Sequence, residues 1–126
     1  MTSAGSCTVH LLNIRSPAVP FQTNCLTEVF FDEAIAQAAE LDAFLAREGR
    51  PVGPLHGLPI SLKDNFKIKG LDATVGFVAW CNEPMEEDSV MTTLLRQAGA
   101  VLYCKTNVPT AMVSGPAGVS PLDHKS

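Results

Sequence analysis

The residue best placed to do chemistry in this 126-residue chain is Lys63. It follows the apolar run Leu58-Pro59-Ile60-Ser61-Leu62 directly and precedes Asp64, Asn65 and Phe66. That run reads as a short strand opened by a proline, which puts the lysine at the strand's carboxyl end. Open α/β sheets bind ligands at that edge. An amine desolvated there loses its preference for the charged form and can take a proton near neutral pH. Side chains alternate faces along a strand, so Asp64 need not pair with Lys63 and hold its charge in place. On spacing alone, however, a Lys-Asp-Asn triplet after a strand is more often a solvated turn.

Other motifs that could carry chemistry are missing. The sequence has no G-x-S-x-G elbow, no phosphate-binding G-x-x-x-x-G-K-[ST], no dinucleotide-binding G-x-G-x-x-G and no H-E-x-x-H. His10, His56 and His124 are isolated, and a lone histidine is more often a surface or hydrogen-bonded structural residue than a ligand. Cys7, Cys25, Cys81 and Cys104 stand at long irregular gaps without a C-x-x-C pair, so they read as reduced, buried thiols rather than a zinc or redox site. No metal or cofactor is expected.

The elements that must position Lys63 are legible from periodicity. Over Phe31 to Glu48, Ala34, Ala38, Leu41 and Leu45 form one apolar stripe, widened by Ile35 and Phe44, which predicts a helix. Asp32 and Glu33 suit its positive end, Arg47 its negative end, and Gly49 and Pro51 its stop. Lys67 to Pro84 is rich in turn residues and reads as loop. Asp88 or Ser89 can cap a second helix running to about Ala98, with Val90, Met91, Leu94, Leu95 and Ala98 inward and Gly99 ending it. AVLYC, 100–104, reads as a strand buried on both faces. Strand, crossover helix, strand implies a parallel α/β unit. With only two helices to cover them, Leu58, Ile60, Val101 and Tyr103 should be incompletely packed, and the unpaired strand edges invite self-association.

Composition excludes several partner classes. The chain is 46% hydrophobic and 17% charged, which marks a folded protein. A net charge of −4 with no Lys/Arg run offers no footprint for nucleic acid or anionic membranes. No window approaches the roughly 18 consecutive apolar residues of a membrane span. The N-terminus lacks a basic stretch followed by a continuous apolar one, so a cytoplasmic protein is expected.

The phrases GPLHGLPISLKDNFKIKG and LLRQAGAVLYCKTNVPTAM, with NCLTEVFFDEAIAQAAELDAFL before them, together resemble the amidase-signature family, in particular its fungal acetamidase-like branch. The likeness spans Asn24 to Met112. It implies a partial amidase-signature fold of class α/β, with helices packed on a mixed or parallel sheet. It divides the chain into an irregular arm (1–23), the front of the amidase domain (24–112) and a divergent tail (113–126). In that family the lysine of G-[IL]-P-[IV]-S-[ILV]-K-D-N is the base of a Ser-Ser-Lys triad that hydrolyses amide C–N bonds. The phrase maps onto Gly57 to Asn65, which makes Lys63 the catalytic residue. Lys105, Thr106 and Asn107 match a strand-end motif with a supporting role. The partner implied is a small-molecule amide. Relatives then continue into GGSSGG and the two serines, where this chain reads Val113-Ser114-Gly115-Pro116-Ala117-Gly118. Ser114 and Ser120 lack the glycine-rich surroundings of an oxyanion hole and are assigned no role. The expectation is a truncated hydrolase inactive alone. The alternative is a non-catalytic binding or regulatory remnant that associates with a full-length relative, and an unrelated α/β module holding an anion at Lys63 remains open.

Overall fold

In a computed structural model, which describes residues 25–113, the alanine and leucine stripe forms helix α1, Phe31–Glu48, as its spacing predicts. Ala34, Ala38 and Leu41 are buried. Asp32 and Glu33 lie in its first turn, Arg47 in its last, and Gly49 caps it by donating its N–H to the Leu45 carbonyl at 2.9 Å. The arm at 1–23, the tail from 114 on, and with them Cys7, His10, Ser114, Ser120 and His124 lie outside the described residues.

The remaining elements are strand β1 (Leu26–Val29), strand β2 (Pro59–Lys63), helix α2 (Val90–Gln97) and strand β3 (Val101–Thr106), with short 3-10 turns at Val78–Trp80 and Thr110–Met112. The sheet order is β1-β3-β2. Val101 donates to the Leu58 carbonyl at 2.9 Å and Asp64 to the Thr106 carbonyl at 2.8 Å, so β2 and β3 run in the same direction. Sequence had not anticipated β1, whose four residues carry little pattern. It pairs antiparallel with β3 through Leu26↔Thr106, Glu28↔Lys105 and Val29↔Cys104, with an irregularity between Leu26 and Glu28. The sheet is therefore mixed, and β3 is its central strand. That position explains why Val101, Leu102, Cys104 and Lys105 are all buried.

The described residues divide into two compact units, with β2, β3 and α2 each contributing to both. In the first unit (Phe30–Ile60, Leu94–Tyr103), Ala34, Ala38, Leu41 and Val101 make an apolar cluster with Ile35 and Tyr103 packed against it. Phe31 stacks on Tyr103 at 5.8 Å between ring centroids, and Gln37 Nε2 donates to the Ala100 carbonyl at 3.2 Å. Gly99 is left-handed (φ +90°), and a Cβ there would lie 2.9 Å from His56 Cα, so only glycine fits at the end of α2. The second unit (25–29, Ser61–Thr93, 104–113) buries Leu62, Ile68, Ala73, Cys104 and Val108 together with Asp64, Thr74, Thr92 and Lys105.

Three expectations need correction. The inward face assigned to α2 is largely outward: Val90 is 78%, Met91 48% and Leu94 54% exposed, while Thr92 is buried. The reason is polar. Ser89 caps the helix, accepting the Thr92 N–H at 3.3 Å, and Thr92 Oγ1 donates to the Lys67 carbonyl at 2.8 Å, which turns the threonine inward. Asp88, the other candidate cap, accepts instead from the Lys69 N–H at 2.8 Å. Secondly, Leu58 is exposed as expected for an under-covered strand, but Val101 is fully buried because α1 covers it. Thirdly, of the described cysteines only Cys104 is a buried residue; Cys25 is exposed and Cys81 half-buried.

Candidate functional site

Lys63 is the last residue of β2 and lies at the carboxyl end shared with parallel β3, beside Thr106. Alternation along the strand sends Leu62 and Asp64 inward and Ser61 and Lys63 outward. Lys63 is exposed, so the described residues do not supply the desolvation expected of it. Among them no hydrogen bond or ion pair holds its side chain, while its carbonyl accepts the Phe66 N–H at 3.0 Å. Asp64 does not pair with Lys63, as alternation predicts, and it is no solvated turn residue either.

Asp64 is 1% exposed and is the acceptor on which several segments converge. Its Oδ1 accepts from Thr27 Oγ1 on β1 at 3.1 Å. Its Oδ2 accepts from Thr74 Oγ1 at 2.9 Å and from the Val75 N–H at 2.8 Å. Lys105 Nζ, on β3, lies 3.7 Å from Oδ1 and donates to the Asp72 carbonyl. Lys105 is fully buried. Burial pulls its amine below the usual lysine range, while Asp64, Glu28 and Asp72 oppose that shift. Glu28, directly across the ladder, is pushed up by burial and by the nearby Asp72 carboxylate, with Lys105 opposing.

The chain leaving β3 is fastened to the loop that Asp64 holds. The Asn107 N–H donates to the Cys25 carbonyl at 2.8 Å and the Val108 N–H to Asn107 Oδ1 at 2.9 Å. Next, the Ala111 N–H donates to the Val75 carbonyl at 3.0 Å, and Thr110 Oγ1 lies 3.4 Å from the Gly76 carbonyl it donates to. A Cβ on Gly76 would stand 2.7 Å from Thr110 Cα, so the two backbones touch. Lys63, Thr106 and Asn107 are thus brought to one end of the strands. Lys105 is not with them: it points inward as a counter-ion. His56 is half-buried in the first unit, where its Nδ1 accepts the Val52 N–H at 3.2 Å, a structural role. Sequence reasoning gave Lys105 a supporting role only and missed the convergence on Asp64. A lysine inside an otherwise apolar, doubly covered strand was the available signal, because such a charge must find a buried partner. Among the described residues no cluster of His, Cys, Asp and Glu could hold a metal ion, and no helix is long and apolar enough to cross a membrane.

Comparison with known proteins gives the site its context. Residues 10–122 match the family model described as Amidase. An acetamidase of Emericella nidulans is 56% identical over 91 residues, which is 72% of this chain and 17% of the relative. Among solved structures, the crystal structure of an amidase superposes with a TM-score of 0.76 at 33% identity, covering 94% of this chain and 27% of that one. The native peptide amidase of Stenotrophomonas maltophilia gives 0.68 at 32% identity, covering 83% and 21%. The chain spans less than a fifth of the length of the curated relatives it matches.

Proposed function

Because this chain belongs to the amidase family, we propose that it carries the base of an amide-hydrolysing site, with Lys63 in that role. The observation that carries the reading is the place of Lys63: the outward-facing last residue of β2, inside Gly57-Leu58-Pro59-Ile60-Ser61-Leu62-Lys63-Asp64-Asn65, at the carboxyl end of two parallel strands. In the reaction proposed, a serine oxygen attacks the amide carbonyl while its proton passes through a second serine to the Lys63 amine. The C–N bond then breaks as that proton returns to the leaving nitrogen, and water releases the acyl group with the serine regenerated. The substrate class is a small-molecule amide. Neither serine is identified in this sequence, and a base without a nucleophile to deprotonate leaves little rate. The chain alone should therefore show no amide hydrolysis above a Lys63→Ala control, and no labelling by a fluorophosphonate. Lysine-dependent turnover by the isolated chain would overturn this account.

A second reading is favoured by one observation, the outward apolar residues Val90, Met91 and Leu94 of α2. On that reading the chain is a non-catalytic partner that associates through α2 with a full-length relative, or with itself. Mixing it with a full-length acetamidase and following both size and turnover separates the two. A complex that forms with the native sequence and is lost in Val90→Ser/Met91→Ser/Leu94→Ser supports association. A monodisperse monomer that binds no hydrophobic dye and leaves the relative's size and rate unchanged argues against it.

A further inference from the structure

We propose that Asp64 is a positioning residue: its carboxylate holds Val75 in a left-handed conformation and, through Val75, fixes the turn Thr110–Met112 relative to Lys63. Val75 has φ 51°, a region that a β-branched side chain adopts only when its surroundings impose it. What imposes it is visible. The Val75 N–H is spent on Asp64 Oδ2, a charged acceptor, and the neighbouring Thr74 hydroxyl donates to the same oxygen. With Val75 so turned and Gly76 left-handed beside it, the Val75 carbonyl faces the Ala111 N–H. Ala111 and Met112 are themselves left-handed, at φ 53° and 58°. Two left-handed pairs, 75–76 and 111–112, are therefore joined by one backbone hydrogen bond, and among the described residues the carboxyl group that fastens to the first pair is one residue past Lys63.

The reading of Lys63 as the base supplies the purpose of this arrangement. Val113 would leave the turn in a direction set by the residue that directly follows the lysine-bearing strand. Asp64 touches no reacting atom in this scheme. Its counter-charge to Lys105 is a competing, purely structural explanation for its burial, so the test must separate the two.

Amide hydrogen exchange of the full chain, read by mass spectrometry on peptides covering 74–76 and 110–112, makes that separation, with α1 as internal reference. Asp64→Ala should speed exchange at 110–112 by ~10-fold or more, the loss expected when a locally held hydrogen bond is released. Adding Val75→Gly, which removes the cost of the left-handed conformation, should slow it again. Adding Lys105→Met, which removes the orphaned charge, should not. Unchanged exchange at 110–112 in Asp64→Ala overturns the proposal. So does restoration by Lys105→Met and not by Val75→Gly, or acceleration in α1 equal to that in the turn in both double variants. None of these readouts involves turnover, so a failed Lys63 assay and a failed positioning role give different results.

Discussion

In the first unit Ala34, Ala38, Leu41 and Val101 close against one another as hydrocarbon, whereas the second unit's most buried side chains include Asp64, Thr92 and Lys105. The two cores should respond differently to the same kind of damage. An apolar core loses contacts in proportion to what is deleted. A core with a buried ion in it fails abruptly, because removing one partner leaves the other charge in a medium that cannot solvate it. The second unit is also the one that holds Lys63, the proposed base, and the turn at 110–112.

The sharpest way to break the comparison is to orphan one charge. Lys105→Ala or Asp64→Ala should cost about 3–5 kcal/mol in urea denaturation, and Asp64→Asn/Lys105→Met should recover most of it. If either single variant costs no more than an ordinary cavity, the second unit does not depend on its ion pair. Leu41→Ala, in the first unit, is expected to cost about 2–3 kcal/mol through lost contacts and a partly relaxed cavity. That value should be the same in the Asp64→Asn/Lys105→Met background, since residues without shared partners contribute additively. Ser89→Ala removes the acceptor that faces the Thr92 N–H and should lower stability by about 1 kcal/mol. A loss well above that would mean the cap also holds Thr92 in its inward orientation.

The same contrast governs what could be read in advance. The α1 stripe was legible because hydrophobic periodicity is a direct consequence of helix geometry, and Ala34, Ala38 and Leu41 of that stripe lie in the core of the first unit, while Leu45 does not. The strand bearing Lys63 was legible from its apolar run and bounding turns, although it runs Pro59–Lys63 rather than over the run 58–62 itself. In α2 the same logic misplaced the face. Val90, Met91 and Leu94 are apolar, but the bonds of Thr92 to Ser89 and Lys67 orient the helix, and periodicity carries no information about a hydroxyl's partners. Asp64 illustrates the limit for the site. Its neighbours in sequence suggest a turn, while its partners come from positions 27, 74, 75 and 105, and no local pattern encodes a convergence of that kind. β1 was missed for a related reason: four residues at a sheet edge owe their conformation to the strand they pair with.

The smallest expected effect, and the finest test of the second unit's polarity, concerns Glu28. Its carboxyl is raised above the ordinary 4.5, first by burial and then by the Asp72 carboxylate, with Asp64 adding in the same direction; Lys105 and a hydrogen bond from the Asp72 backbone oppose. A raised acid binds its proton more tightly in the native than in the unfolded chain. Between the ordinary value and the raised one, the native state therefore holds more protons, and stability falls as pH rises through that window. Glu28→Gln has nothing to titrate at this position. The native chain's stability relative to Glu28→Gln should accordingly be greatest at or below pH 4.5 and should decline as pH rises above it, with the two compared by urea denaturation across that range. An advantage for the native chain that grows with pH would mean that the Lys105 ammonium, directly across the ladder, outweighs burial and the two aspartates. The second unit's charge would then be balanced around Lys105 as a group, and Asp64 would no longer be its principal counter-ion.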